Sequence, residues 1–138
     1  MDSNVSLVGN LTKEPELKFT NAGLAYTRFS IAVTRGLAGE ETTSYYDVVA
    51  FGNKNGNPGG LAENVAESFT KGSRVLVCGR MEIRQYEKKD GTPGQSVEII
   101  AEEVAASVRF NTVNINKRER LSSGANNRPA PTPEYESF

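Results

Sequence analysis

The sequence predicts a small all-β barrel with a single helix between its third and fourth strands, followed by a disordered tail. Three observations carry that expectation. Apolar and polar residues alternate at period two over several separate segments, as they do in half-buried strands. One segment alone, "LAENVAESFT", repeats its apolar residues every four positions, as a helix does. Beyond Lys117 the chain turns to Asn, Ser, Pro, Gly and charge, with three prolines in "RPAPTP". Such a stretch buries too little apolar area to offset its ordering entropy.

The elements follow in order. "NVSLVGNL" reads as a first strand, and "PELKFTNAGLAYTRFSIAVTRG" as a hairpin turning at Asn21, Ala22 and Gly23. In its long second arm Ala25, Thr27, Phe29, Ile31 and Val33 form the core set, while Tyr26, Arg28, Ser30, Ala32 and Thr34 face outward. "TSYYDVVAFGN" places Tyr45, Asp47, Val49 and Phe51 on one face and Tyr46, Val48 and Ala50 on the other. A core-facing set that includes Asp47 is unfavourable, and a solvent-facing set with both Tyr45 and Phe51 calls for something to stack on them. After the loop "NKNGNPGG" the helix buries Leu61, Val65 and Phe69, leaves Glu63 and Glu67 on its polar side, and stops before Gly72. "SRVLVCGRMEIRQYE" is a long strand with Val75, Val77, Gly79, Met81 and Ile83 packed and Arg74, Leu76, Cys78, Arg80, Glu82, Arg84 and Tyr86 opposite. "KKDGTPG" is a tight reversal, "QSVEIIAEEV" returns as a strand, and a further strand is expected over Val108 to Ile115. The order is three strands, one helix, two strands, then the tail. Residues 1–116 are therefore expected as one domain and 117–138 as a flexible extension.

Composition narrows the function. The chain has one cysteine, Cys78, and no histidine, so an internal disulfide, the usual zinc sets and His-dependent catalytic pairs are excluded. No apolar run approaches the roughly 18 residues that span a bilayer, and "MDSNVSLVGN" lacks the parts of a signal peptide, so a cytoplasmic protein is expected, with no membrane partner. The net charge of −1 hides segregation: Lys71, Arg74, Arg80, Arg84, Lys88 and Lys89 crowd one stretch against only Glu82 and Glu87. No cofactor or metal is expected.

The order of elements matches the OB-fold, a five-stranded Greek-key barrel whose outer face and loops bind single-stranded nucleic acid. The match extends to residues. "LVGNLTKEPELKFTNAG", "YYDVVAFGN", "LAENVAESFTKGSRVLVCGRMEIRQYE", "DG" and "VEIIAEEV" resemble, in order and spacing, the bacterial single-stranded DNA-binding protein family over roughly residues 4 to 110. "AENVAESFTKGSRV" and "VRFNTV" are most similar to actinobacterial or actinophage members. The resemblance implies a homotetramer, associated with the nucleoid, that coats single-stranded DNA without sequence preference during replication, recombination and repair. It also implies a C-terminal tip that recruits replication and repair proteins, here Glu134, Glu136 and Phe138.

Three of the family's base-stacking positions fall on Tyr45, Phe51 and Tyr86; the first and third are more often tryptophan, which this chain lacks. Lys18, Lys71 and Arg84 keep the charge of the family's basic contact positions, whereas Glu82 and Gln85 stand where many relatives are basic. Arg28, Arg35, Arg74, Arg80 and Lys88 join the expected contact set from their outward or loop-edge placement. Asp47 is expected to pair with Arg84 or Arg28. The plainer alternative is that Tyr45 or Phe51 closes one end of the barrel, and that the face of Arg80, Arg84 and Tyr86 is simply solvated. Two other functions compete: a metal-dependent hydrolase built on carboxylates such as Glu102 and Glu103, and an OB-fold RNA-binding or interaction module. Adjacent strand residues point to opposite faces, so the Glu102 and Glu103 pair is ill placed to share one metal.

Overall fold

The computed structural model describes residues 3–117. Its elements are β1 (Asn4–Leu11), β2 (Glu16–Phe19), β3 (Leu24–Arg35), β4 (Thr42–Lys54), α1 (Leu61–Ser68), β5 (Arg74–Glu87) and β6 (Pro93–Ala106). The sheet order is β1-β5-β6-β4-β3-β2, and β1 also pairs with β3. That extra pairing closes five strands into a barrel of the OB-fold pattern. The first arm of the expected hairpin is a short strand in its own right, β2, added at the open edge of β3. Among the described residues the only parallel ladder joins β4 to β6, and the others are antiparallel.

The core follows the alternation. Ala25, Thr27, Phe29 and Ile31 of β3 are fully buried with Val48 and Ala50 of β4, Val75 and Val77 of β5 and Ile99 of β6. Val65 from α1 plugs the barrel, and Leu61 and Phe69 pack beside it. Each fully buried side chain of this kind contributes roughly 1.5–3 kcal/mol of transfer free energy.

Three expectations are corrected. Glu63 is buried, not on a polar side. Near the end of β4 the register with β3 shifts between Leu24 and Tyr26, and such a bulge leaves a backbone donor outside the ladder. The Asn53 N–H is taken by Glu63, at 3.0 Å to Oε1 and 3.4 Å to Oε2. The carboxylate lies against Gly52 and Gly60, at whose positions any side chain would collide with it. Asn53 Nδ2 donates to the carbonyls of Asn57 and Pro58, so one acid and one amide anchor the whole "NKNGNPGG" loop.

The second correction concerns Ile83, which is 60% exposed. The ladder of β1 on β5 ends at Arg80, so beyond it β5 has only β6 beside it and no core beneath. The β5–β6 hairpin thus projects past the barrel, and Ile83 faces Val97 across it. Third, residues 108–115 form no strand; the chain leaves the ladder after Ser107 N–H donates to Arg74 O at 3.0 Å.

Candidate nucleic-acid interface

Residues directly opposite on neighbouring strands project from the same face of a sheet, so the ladders carry parity from strand to strand. Lys18 faces Tyr26, and Tyr26 faces Phe51. Glu16 faces Arg28, and Arg28 faces Val49. Ala32 faces Tyr45, and Ser30 faces Asp47, which pairs with Glu98 on β6. Across the last ladder Glu98 faces Glu82, Ser96 faces Arg84, Gly94 faces Tyr86 and Ile100 faces Arg80. The outward face thereby unites Tyr45, Phe51 and Tyr86 with Lys18, Arg28, Arg80 and Arg84, residues scattered over most of the domain's sequence.

The rings on this face are available. Tyr45 is 70% exposed, Phe51 41% and Tyr86 50%. None of the three closes the barrel end. Tyr86 lies over Gly94, whose missing side chain leaves room for it: a Cβ there would come within 2.7 Å of the ring. Glycine at this point lets the hairpin support the ring from below while its other side stays open. Val49 shares the outward parity yet is buried, because it floors a groove of about 390 Å³ whose walls include Phe19, Tyr26, Phe51, Arg28 and Arg84.

The arginines are held otherwise than expected. Neither pairs with Asp47. Arg28 Nη2 lies 3.1 Å from Glu98 Oε2, and Arg84 Nη2 lies 3.8 Å from Oε1 of the same carboxylate. Glu98 is nearly buried whereas both arginine side chains are more than half exposed. One acid thus tethers two cations at the groove, while Asp47 and Glu82 stand beside Glu98 and Glu16 beside Arg28 on the same face. Nothing in the sequence marked this acid except its place inside the apolar run "VEII".

The remaining expected contacts are dispersed. Lys88 sits in the hairpin turn, its stem beside Gly94 and Tyr86. Arg35 ends β3, opposite Thr42 and exposed. Lys71 is exposed in the turn between α1 and β5, where Gly72 N–H bonds Leu11 O at 2.8 Å. Arg74 begins β5, twelve positions from Tyr86, with its guanidinium 5.2 Å from the centroid of the Phe110 ring. It belongs to a different surface. Cys78 is half-buried with Sγ 3.4 Å from Ser6 Oγ. Glu134, Glu136 and Phe138 lie outside the described residues.

Among the described residues, no group of three or more His, Cys, Asp or Glu is placed to hold a metal ion, and no helix is long and apolar enough to cross a membrane. Glu102 and Glu103 do not combine into a metal site. Glu103 faces Cys78 in the ladder, and Glu102 is the extra residue where the register shifts.

Comparison with known proteins identifies the family. The model of the "Single-strand binding protein family" matches residues 2–107. A protein named single-stranded DNA-binding protein from Mycobacterium bovis is 37% identical over 131 residues, covering 94% of this chain and 80% of its own length. Proteins of the same name from Paenarthrobacter aurescens and Corynebacterium glutamicum are 35% and 37% identical, covering 91% and 86% of this chain and 74% and 53% of their own lengths. With a barrel of this topology, a family match over most of the domain and relatives of this identity, the chain belongs to the single-strand binding protein family.

Proposed function

We propose that the protein binds single-stranded DNA without sequence preference, by stacking unpaired bases on Tyr45, Phe51 and Tyr86 while Lys18, Arg28, Arg80, Arg84 and Lys88 neutralise phosphates. The observation that supports this reading is the single outward sheet face on which those rings stand exposed between cations. Every base has a π-face, so stacking is indifferent to sequence, and duplex hides those faces. Phosphate contacts add a salt-dependent term, with a log-log slope of roughly −0.7 per phosphate neutralised on a single strand. Arg35 and Lys71 extend the same role to a strand that wraps beyond this face, whereas Arg74, stacked on Phe110, adds little to it.

The wider reading follows the family: a non-enzymatic homotetramer, cytoplasmic and associated with the nucleoid, that coats and protects single strands during replication, recombination and repair. Its C-terminal tip, Glu134, Glu136 and Phe138, recruits replication and repair proteins. The deciding measurement compares affinity for oligo-dT, matched RNA and duplex at one salt concentration. Tighter binding of oligo-dT is expected, and equal affinity for duplex would overturn the reading. Magnesium-dependent cleavage of the oligonucleotide would instead revive an enzyme. Mass measurement in solution tests the tetramer.

A further inference from the structure

We infer that Tyr26 is an additional base-stacking residue, and that the groove between Tyr26 and Phe51 is a separate subsite for one nucleobase. This rests on the proposed binding of single-stranded DNA and adds to it a contact outside the three ring positions carried over from the family. Tyr26 stands directly opposite Phe51 on the outward face, half-buried, with Lys18 opposite it on its other side. Two facing rings on adjacent antiparallel strands are about 4.5–5.5 Å apart at Cβ, close enough to act as one platform with a cation at its rim.

The subsite is built before any ligand arrives. Its floor is Val49, with Arg28 and Arg84 tethered to Glu98. Its lip, Thr20 and Asn21, is fixed by local bonds: Thr20 Oγ1 accepts from Leu24 N–H at 3.1 Å, and Gly23 O accepts from Asn55 N–H at 2.7 Å. Asn55 lies in the "NKNGNPGG" loop that Glu63 anchors through Asn53. The loop therefore gains a role, bracing the turn that walls the groove. A preformed site loses less conformational entropy on binding than one that must be ordered. The groove volume of about 390 Å³ admits a flat heterocycle beside the rings. The two arginines in its lining, both more than half exposed, can meet the phosphate of a base that enters it.

The absence of tryptophan makes the test direct. A Tyr26→Trp variant carries a single tryptophan, and its emission is expected to be quenched when oligo-dT binds. In parallel, a Tyr26→Leu variant is expected to bind labelled oligo-dT roughly five- to tenfold more weakly by anisotropy, with an unchanged salt slope because no charge is removed. Unquenched tryptophan emission while the labelled oligonucleotide still binds would overturn the inference and leave the proposed function standing. So would wild-type affinity of Tyr26→Leu. A lowered melting temperature without an affinity change would assign Tyr26 a structural part only. Failure of the wild-type protein itself to bind oligo-dT would remove the function first.

Discussion

The two ends of β5 each carry arginine near an aromatic ring, yet they make different surfaces. At one end Arg84 and Arg28 converge on Glu98 in a groove of about 390 Å³ ringed by Tyr26 and Phe51. At the other, Arg74 and Arg109 each lie 5.2 Å from the Phe110 ring, which is 68% exposed, and Arg74 also lines a larger cleft of about 1100 Å³ formed mainly by Asn, Ser and Thr. The larger cleft has the fewer rings. The ring that lines it is Phe69, and Arg74 Nε is buried without a hydrogen-bond partner. In the smaller groove a carboxylate, not a ring, holds the cations. What separates the two ends is thus the partner of the arginine, an acid in the groove and a ring at the start of the strand.

This contrast is open to measurement. The largest effect is expected from Phe51→Ala and Tyr86→Ala, each costing about 1–3 kcal/mol of binding to any single-stranded sequence with folding intact; loss of cooperative unfolding would show that the ring is structural. Next comes the wall of the smaller groove. Glu63→Ala removes the acceptor of the part-buried Asn53 N–H and is expected to cost about 1 kcal/mol of stability in chemical denaturation; wild-type stability would mean that the loop is not braced as described. Arg84→Gln should reduce the magnitude of the salt slope by about 0.7, the value for one phosphate on a single strand, while Arg74→Gln leaves it nearly unchanged. Equal slopes for the two variants would erase the distinction between the ends. Phe110→Leu removes a contact worth about 0.5–1 kcal/mol at an exposed site and is expected to leave oligo-dT affinity unaltered.

The smallest effect lies at the hairpin tip beside Lys88. The Thr92 hydroxyl and backbone N–H both donate to Asp90, at 2.6 and 3.0 Å, and hold its carboxyl below the usual aspartate value. A carboxyl depressed in the folded state adds stability above its unfolded value, and that stability is lost as pH falls through the folded value. Thr92→Val should therefore move the Asp90 titration upward, as followed by carbonyl NMR. An unmoved titration would mean that the hydroxyl is not the main cause.

Much of the site was legible because strand alternation is local. The parity of "TSYYDVVAFGN" and "SRVLVCGRMEIRQYE" put Tyr45, Phe51, Arg80, Arg84 and Tyr86 outside, and all five are exposed. The failures share one origin. An outward-facing Asp47 calls for a neighbouring arginine, but the parallel ladder brings Glu98 beside it and the arginines follow Glu98. Glu63 was read as solvated from helical periodicity, although a bulge in a strand ten positions earlier supplied it with a donor. Ile83 kept its inward parity but outran the barrel.

What the amino-acid order determined alone is therefore the period of each segment: which residues share a face, where the helix lies, and where turns such as Gly23 and Gly91, both at positive φ, must fall. Tertiary structure decided which faces meet. The opposition of Tyr26 to Phe51, the capture of Arg28 and Arg84 by Glu98, and the support of Tyr86 by Gly94 each join residues whose spacing along the chain encodes no contact. The physical reason is range. Side-chain direction is set by backbone geometry within two residues, whereas register and closure are set by the packing of the whole barrel.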